Sequence, residues 1–447
     1  MPIEKFPPGP SWRFPPLVLI QLLRNPIPFM MKMIHDYGDI AHFKLGPQHI
    51  FFINHPDMIQ DVLVTHNKNF IKGQALNRTK PLLGEGLLTS EGELHLKQRR
   101  LIQPIFHRKN VDEYGAVMTE YADRIRGRWK DGEVLDISRE MMRLTLLIVA
   151  KTLFNRDVEA GEAVKIGEAL NTLVDAFKTM ILPFSEFFEK LPLPGIRRLV
   201  KAREFLSSII YEMIEERKGS QEKPWDLLSL LLAAQDMESG GERMSNKQVH
   251  DEAITLFLAG HETTSNALTW TWYLLSQHPE VEKKLHEEID SVLKGKLPTM
   301  EDFPNLKYTE MVFKESMRLY PPAWAIGRRA LSDYEIAGYK IPAKSIVGMS
   351  QYVMHRDPRY YSNPEKFDPG RWATEAQAHM PKFSYFPFGG GGRMCIGEHF
   401  AWMEGILLIT TIAQKWKMIL DPHQKIALQP AITLRPKYGM RMKLEKR

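Results

Sequence analysis

Apolar positions recur with the period of an α-helix through most of the chain between residues 56 and 320. The clearest helical segment covers residues 246–278. Ser245 and Gln248 have the spacing of a capping box at its start, and Pro279 follows its last residue. About 33 residues at about 1.5 Å each span roughly 50 Å. We therefore expect this helix to cross the core of the domain.

Patterns that are typical of β-strands are short and few. Residues 40–53 predict a hairpin that turns at Gly46-Pro47. Three further strand-like runs lie close together in the last third of the chain: YEIAG, YKI and SIVGMS.

A second clear helix is predicted over residues 305–320, where Pro321-Pro322 ends it. A long irregular stretch covers about residues 355–392, and a last helix covers about residues 396–415. The strands and helices do not alternate as β-α-β units. We therefore predict a mainly α fold with small β-sheets.

The chain has 447 residues, of which 43% are hydrophobic, and no repeat, linker or low-complexity tract divides it. We predict one domain over residues 1–447. Its first part, residues 1–35, is a proline-rich lead-in that the prolines at 7, 8, 10, 15 and 16 should make stiff and extended.

The net charge is +6 without a Lys/Arg run of the kind that binds nucleic acid. The first residues contain no apolar run near the roughly 20 residues of a transmembrane helix. They also lack the pattern of a signal peptide. We expect a cytoplasmic monomer that binds no nucleic acid.

Cys395 is the only cysteine, which excludes disulfides within the chain and all-cysteine metal sites. It follows four consecutive glycines and precedes the last predicted helix, whose positive end would favour a thiolate. The glycine run fits neither a phosphate loop nor G-x-G-x-x-G. The thiolate could bind iron, or it could be a nucleophile with His399 as its base. The residues alone leave both open.

This loop resembles the haem-binding signature of cytochromes P-450, F-x-x-G-x-R-x-C-x-G. The matching residues are Phe388, Gly391, Arg393, Cys395 and Gly397. The resemblance implies a b-type haem, iron protoporphyrin IX, whose iron is held by the Cys395 thiolate. It also implies that Arg393 binds a haem propionate.

A polar cluster interrupts the long helix at Ala259-Gly260-His261-Glu262-Thr263-Thr264. The Thr263 hydroxyl can simply bond back to the Ala259 carbonyl, as mid-helix threonines do. Alternatively, Gly260 lets a partner approach, Thr263 offers its hydroxyl to dioxygen and Glu262 relays protons. The run resembles the family pattern A/G-G-x-D/E-T-T/S, which implies that Glu262 and Thr263 are catalytic.

Two further segments resemble structural elements of the family. KESMRLYPP is similar to the E-x-x-R element, with Glu315 and Arg318, and NPEKFDPGRW is similar to the segment that supplies a second arginine, Arg371. The resemblance implies a network of these three residues that braces the cysteine loop and takes no part in the chemistry.

The remaining haem contacts are implied by two other segments. GELHLKQRR resembles the W-x-x-x-R segment with histidine in place of tryptophan, which implies that His95 and Arg99 bind a propionate. A solvated histidine is the alternative for His95. Arg328, in IGRRALSDYEI, matches a further propionate position, with its neighbour Arg329 as the alternative.

The motifs occur in order from about Pro7 to Thr433. The resemblance therefore implies the cytochrome P-450 fold, triangular, with haem between the long central helix and the cysteine-ligand helix. It implies a monooxygenase that inserts one oxygen atom of O2 into a lipophilic organic substrate, such as a fatty acid, terpenoid or steroid. Substrate contacts are expected in the 76–88 loop and at the homologous positions Leu256, Ala259, Ala325, Ile326, Ile432 and Thr433, although core packing would explain the apolar ones equally well.

No fingerprint for flavin or nicotinamide occurs in the chain. Electrons should therefore come from a ferredoxin or flavodoxin with its reductase, and we expect an acidic partner to dock near Lys97, Arg100 and Arg108. Two alternatives are a peroxide-using or rearranging haem-thiolate enzyme and a non-catalytic haem sensor. Glu262-Thr263 speaks against the first, and the lack of a regulatory domain speaks against the second.

Overall fold

The structure is a computed structural model that describes residues 5–10, 15–180, 194–220, 226–236, 242–373 and 380–447. Its α-helices are α1 (Pro15–Arg24), α2 (Pro26–Tyr37), α3 (Pro56–Gln60), α4 (Gln74–Asn77), α5 (Lys80–Leu83), α6 (Gly92–Ile102), α7 (Arg108–Glu113), α8 (Gly115–Arg126), α9 (Ile137–Phe154), α10 (Ala160–Met180), α11 (Pro194–Gly219), α12 (Leu227–Ala233), α13 (Asn246–Gln277), α14 (Pro279–Leu293), α15 (Lys307–Leu319), α16 (Gln351–Met354) and α17 (Glu398–Ala413). Its strands are β1 (Ile40–Leu45), β2 (Gln48–Ile53), β3 (Phe70–Lys72), β4 (Val134–Asp136), β5 (Gln235–Asp236), β6 (Glu242–Arg243), β7 (Ile326–Ala330), β8 (Tyr334–Ile336), β9 (Tyr339–Ile341), β10 (Ile346–Met349), β11 (Trp416–Leu420), β12 (Leu428–Pro430), β13 (Leu434–Pro436) and β14 (Arg441–Lys446). The prediction of a mainly α fold with small sheets is confirmed.

The long helix α13 begins and ends where the sequence predicts. The Ser245 hydroxyl accepts a hydrogen bond from the Gln248 amide, and the Gln248 side chain accepts one from the Ser245 amide at 2.8 Å. Its side chains are buried through most of the span from Val249 to Leu275, as expected of a helix in the core. The hairpin of β1 and β2, the helix before Pro321 and the helix after the cysteine loop are also confirmed.

The expected extended lead-in is wrong over part of its length. Pro15 and Pro16 form the first residues of α1, and α2 follows immediately. Proline suits the first helical turn, because its missing N–H would have no partner there and its φ is already helical. Residues 5–10 remain irregular, and residues 11–14 lie outside the described part of the chain.

The chain packs as two compact units, each made of two segments. Unit one contains Met1–Gln74 and Lys314–Cys395, and unit two contains Ala75–Phe313 and Ile396–Arg447. The prediction of a single domain over residues 1–447 stays a prediction.

Unit one is built on a five-stranded sheet in the order β1-β2-β10-β7-β3, in which only the β2–β10 pair is parallel. Successive side chains of β2 point to opposite faces. Phe51 belongs to a core cluster that includes Phe383 and Phe386, at the start of the cysteine loop, whereas Phe52 belongs to a second cluster with Phe29. The sheet therefore anchors the cysteine loop through its first cluster.

Unit two is built around α13, against which α9, α11 and α17 pack. The two-stranded sheet of β12 and β13 also lies against α13, and the Trp270 indole donates to the Leu434 carbonyl at 2.9 Å. This contact places the C-terminal hairpin beside the middle of the long helix. Within the described ranges, we find no helix with the length and apolar character that crossing a membrane requires.

Candidate active site

The cysteine loop depends on glycines for its path. Gly389 and Gly391 have φ values of +73° and +66°, in the left-handed region that side chains rarely adopt. A Cβ on Gly391 would also overlap the Leu63 carbonyl oxygen, and one on Gly390 would come within 2.6 Å of the Phe383 ring. Three of the four glycines are therefore required, Gly389 and Gly391 by their φ values and Gly390 and Gly391 by close packing within unit one.

Cys395 ends this loop with its thiol exposed. Its amide donates to the Phe388 carbonyl at 3.0 Å, which closes the loop on itself. The first residue of α17 follows three positions later. An accessible cysteine sulfur can reach a ligand.

The histidine that a cysteine nucleophile would need is paired with a carboxylate. His399, on α17, has its ring Nε2 at 3.1 Å from the Asp112 carboxylate on α7. Both residues lie in unit two.

Glu315 is the centre of a buried polar network in unit one. Its carboxylate receives two hydrogen bonds from Arg318, at 2.8 and 2.9 Å, and one from Arg371 at 2.8 Å. The Trp372 indole and the Asp368 amide also donate to it. Glu315 and Arg318 are fully buried, so each charge depends on these partners.

Arg318 extends the network into the irregular stretch before the cysteine loop. Its guanidinium donates to the carbonyls of His355 and Pro364, both at 2.7 Å, and to that of Lys366 at 3.1 Å. One arginine therefore holds three separate points of the main chain.

The middle of α13 is less buried than its flanks. Ala259 is exposed and Gly260 and Thr263 are partly exposed, although the turns on both sides are buried. A Cβ on Gly260 would come within 3.0 Å of Val149, so the partner that approaches this glycine is α9. The Thr263 hydroxyl donates to the Ala259 carbonyl at 2.6 Å, which is the back-bond considered from the sequence.

Glu262 is almost fully buried and paired. Its Oε1 accepts from Arg435 Nε at 2.7 Å and from the Thr433 hydroxyl, and Asn266 donates to the Thr433 hydroxyl oxygen at 3.1 Å. Its Oε2 has no hydrogen-bond partner among the described residues. Thr433, expected as a substrate contact, thus lies against the catalytic candidate in this structure.

Sequence reasoning missed Arg435. The available signal was spacing, because Arg435 lies two residues after Thr433, at the start of the strand Leu434–Pro436, and side chains two apart in extended chain point the same way. Nothing local indicated that this face meets α13.

Unit two contains two more buried titratable groups, in and near the polar cluster of α13. Burial, and then the positive charge of Arg435, lowers the pKa of His261 to about 3. Burial raises the pKa of Glu404, on α17, to about 8, while the neighbouring Thr264 hydroxyl opposes this. Glu404 was also missed, although a glutamate inside the apolar run FAWMEGILLI is a signal of an unusual environment.

The residues expected to bind propionates lie on three elements. His95 is buried on α6 and Arg99 is partly buried one turn later. Arg328 lies on β7, where it pairs in register with Val347. Arg393 is the last residue of a short 3-10 helix, Gly391–Arg393.

The expected substrate contacts are also distributed. Leu256 is buried on α13, whereas Ile432 is partly buried in the turn between β12 and β13. Ala325 packs against the second core cluster of unit one, and Ile326 packs against the first.

The 76–88 loop is tied to α13. The Asp251 carboxylate accepts from the Glu85 amide at 3.0 Å, and the Glu252 carboxylate accepts from the Leu87 amide at 2.8 Å. The loop is thus held by two consecutive acids of the long helix.

Comparisons with known proteins agree with one another. A family model described as Cytochrome P450 matches residues 7–443. The chain is 38% identical to cyclooctatin synthase of Streptomyces melanosporofaciens over 414 aligned residues. The alignment covers 92% of this chain and 90% of that protein. It is 34% identical over 429 residues to pentalenene oxygenase of Streptomyces avermitilis, with 96% and 94% covered. The structure of retinoic acid-bound cyanobacterial CYP120A1 superposes with a TM-score of 0.88 at 26% identity, covering 100% of both chains.

Proposed function

This chain belongs to the cytochrome P450 family, and on that premise we propose that it oxygenates a cyclic terpenoid with Cys395 as the iron ligand and with Glu262 and Thr263 as the proton-transfer residues. It is a haem-thiolate monooxygenase that places one oxygen atom of O2 in a lipophilic organic substrate. The observation that carries the residue assignment is the exposure of Cys395, the chain's one cysteine, at the end of a loop in which Gly389, Gly390 and Gly391 disfavour any side chain.

The residues fit an iron–porphyrin group with one protein ligand. The exposed Cys395 would supply the thiolate that binds the iron. The exposed turn at Ala259, in an otherwise buried helix, leaves room beside the proposed catalytic residues. When bound, the haem supplies the binding and activation of O2.

We assign four side chains to the two propionates of the haem: His95, Arg99, Arg328 and Arg393. The N–H groups of arginine and histidine side chains donate hydrogen bonds to carboxylates, and arginine can make two such bonds to one carboxylate in a bidentate pair. These residues act by holding the group in one orientation.

Glu262 and Thr263 are assigned to proton transfer. Glu262 Oε2 has no hydrogen-bond partner among the described residues. It can therefore accept a hydrogen bond from a water molecule while Oε1 stays bound to Arg435 and Thr433. A rotation of Thr263 about χ1 breaks its bond to the Ala259 carbonyl and frees its hydroxyl.

The substrate class is inferred from the relatives. By name, one relative is a cyclooctatin synthase and another is a pentalenene oxygenase, and both names denote ring compounds. The test is a ligand panel of cyclic terpene hydrocarbons, a linear fatty acid of matched carbon number and a steroid. Each is scored by the spin-state shift of the Soret band and by product formation. Turnover of the fatty acid with no response to the terpenes would reject the proposal.

The redox partner is proposed to be an acidic ferredoxin or flavodoxin that docks near Lys97, Arg100 and Arg108. Arg100 and Arg108 are exposed. Arg100→Glu should slow reduction by such a partner and weaken its dependence on salt. Arg139→Glu, at an exposed arginine of α9 outside the proposed docking set, should not. Equal rates in wild type and Arg100→Glu would remove this docking site. We further propose a cytoplasmic monomer, to be checked by sedimentation and by cell fractionation.

A further inference from the structure

His355 connects the buried glutamate network of unit one to the cysteine loop. It follows α16, is fully buried, and has its amide bonded to the Gln351 carbonyl at 2.9 Å. Its own carbonyl accepts from Arg318 at 2.7 Å. Its ring Nε2 accepts from the Phe386 amide at 3.0 Å. Phe386 begins the segment that ends at Cys395.

One of these hydrogen bonds uses the main chain of His355 and the other uses its side chain. Any residue at position 355 offers a carbonyl to Arg318, but only a side chain with an acceptor at the right reach can bind the Phe386 amide. The ring is held between aromatic neighbours, with centroids 4.9 Å from Tyr385 and 5.5 Å from Phe386. The acceptor nitrogen therefore has one orientation.

The ring is suited to accept. A histidine nitrogen accepts a hydrogen bond only when it carries no proton, so the proton of this ring is on Nδ1. Burial, followed by the charges of Arg318 and Arg356, lowers the pKa of His355 well below its ordinary value, while the carbonyls of Arg318 and Met317 act in the opposite direction. The ring is neutral under ordinary conditions.

We propose that His355 is a positioning residue for the thiolate ligand. Its carbonyl is bound by Arg318 of the Glu315–Arg318 network, and its ring binds the start of the cysteine loop. These two bonds would hold Cys395 in place as the iron ligand. The inference rests on Cys395 as the ligand and is independent of Glu262, Thr263 and the substrate.

The test compares two haem-loaded variants with wild type. His355→Phe keeps the ring packing and removes the acceptor, whereas His355→Gln offers an amide oxygen in its place. The readout is the rate at which the reduced, carbon monoxide-bound form loses the red-shifted Soret band of thiolate ligation. We expect about a 10-fold or greater acceleration in His355→Phe, because a buried amide loses its acceptor, and near wild-type behaviour in His355→Gln. His286→Phe, at a half-buried histidine of α14, is the control for loss of an imidazole elsewhere.

Hydrogen exchange separates local from general effects. Residues 383–395 should exchange faster in His355→Phe than in His355→Gln, with residues 40–53 unchanged in both. If His355→Phe takes up no haem and His355→Gln does, the acceptor is again what matters. Equal band lifetimes in wild type and His355→Phe would overturn the proposal, and so would equal defects in both variants, since packing alone would then explain them. If Cys395 were not the ligand, wild type itself would lack the band.

Discussion

Glu404 should make this protein less stable as the pH rises, and its replacement by glutamine should remove that dependence. Its side chain is fully buried on α17. Burial raises the pKa of Glu404 from 4.5 to about 8. The folded state therefore keeps the proton over a range of pH in which the unfolded chain has lost it.

The size of the effect follows from that difference in pKa. Below pH 4.5 both states are protonated, and the group has no effect on the pH dependence. Between 4.5 and about 8 the folded state binds more protons, so the free energy of unfolding falls as pH rises. At about 1.36 kcal/mol per pKa unit the total loss approaches about 5 kcal/mol. Above about pH 8 both states are ionised and the loss is complete.

The assay is guanidinium unfolding of the haem-loaded protein at several pH values for wild type and Glu404→Gln. From about pH 5 to about pH 8 the stability of the variant should rise relative to wild type by up to about 4 kcal/mol. Glu287→Gln, at an exposed glutamate of α14, is the control and should follow wild type. Parallel curves for wild type and Glu404→Gln would contradict a raised pKa of Glu404, because they would mean that Glu404 ionises equally in the folded and unfolded states.

Three other substitutions follow from the site. Glu315→Gln leaves the buried Arg318 and the partly buried Arg371 without their countercharge, at a cost of about 3–5 kcal/mol. It should lower the haem-to-protein ratio of purified material, and full loading would contradict the bracing role. Arg435→Met removes the ion pair of Glu262 and should divert consumed reductant from product to hydrogen peroxide, with the exposed Arg441→Met as its control; unchanged coupling would show that the pair is dispensable. Thr263→Val keeps the shape without the hydroxyl and should shift the same ratio toward peroxide, whereas a wild-type ratio would leave Thr263 as a structural back-bond only.

The long helices could be predicted because their signals are local. The capping box of Ser245 and Gln248 and the proline at 279 lie within one turn of the ends of α13, and both ends were predicted to within a residue. The cysteine loop was recognisable for the same reason, since its chemistry is contained in one short run of sequence. Its glycines were correctly expected to serve the backbone.

The contacts that were missed join distant parts of the chain. Arg435 lies 173 residues from Glu262, and no periodicity relates the two positions. Short strands such as Phe70–Lys72 are too brief to show an alternating pattern and exist because β7 pairs with them. Gly260 was expected to admit a partner, but the sequence did not indicate that the partner is Val149 of α9.

The assignment of Cys395 as the iron ligand is tested most directly by the absorption spectrum of the reduced, carbon monoxide-bound protein, measured on wild type and on Cys395→His. We predict that wild type shows the red-shifted Soret band of sulfur ligation and that Cys395→His, still holding porphyrin, shows the band at shorter wavelength that nitrogen ligation produces. Haem-loaded wild type without the red-shifted band, or Cys395→His with it, would contradict the assignment of Cys395.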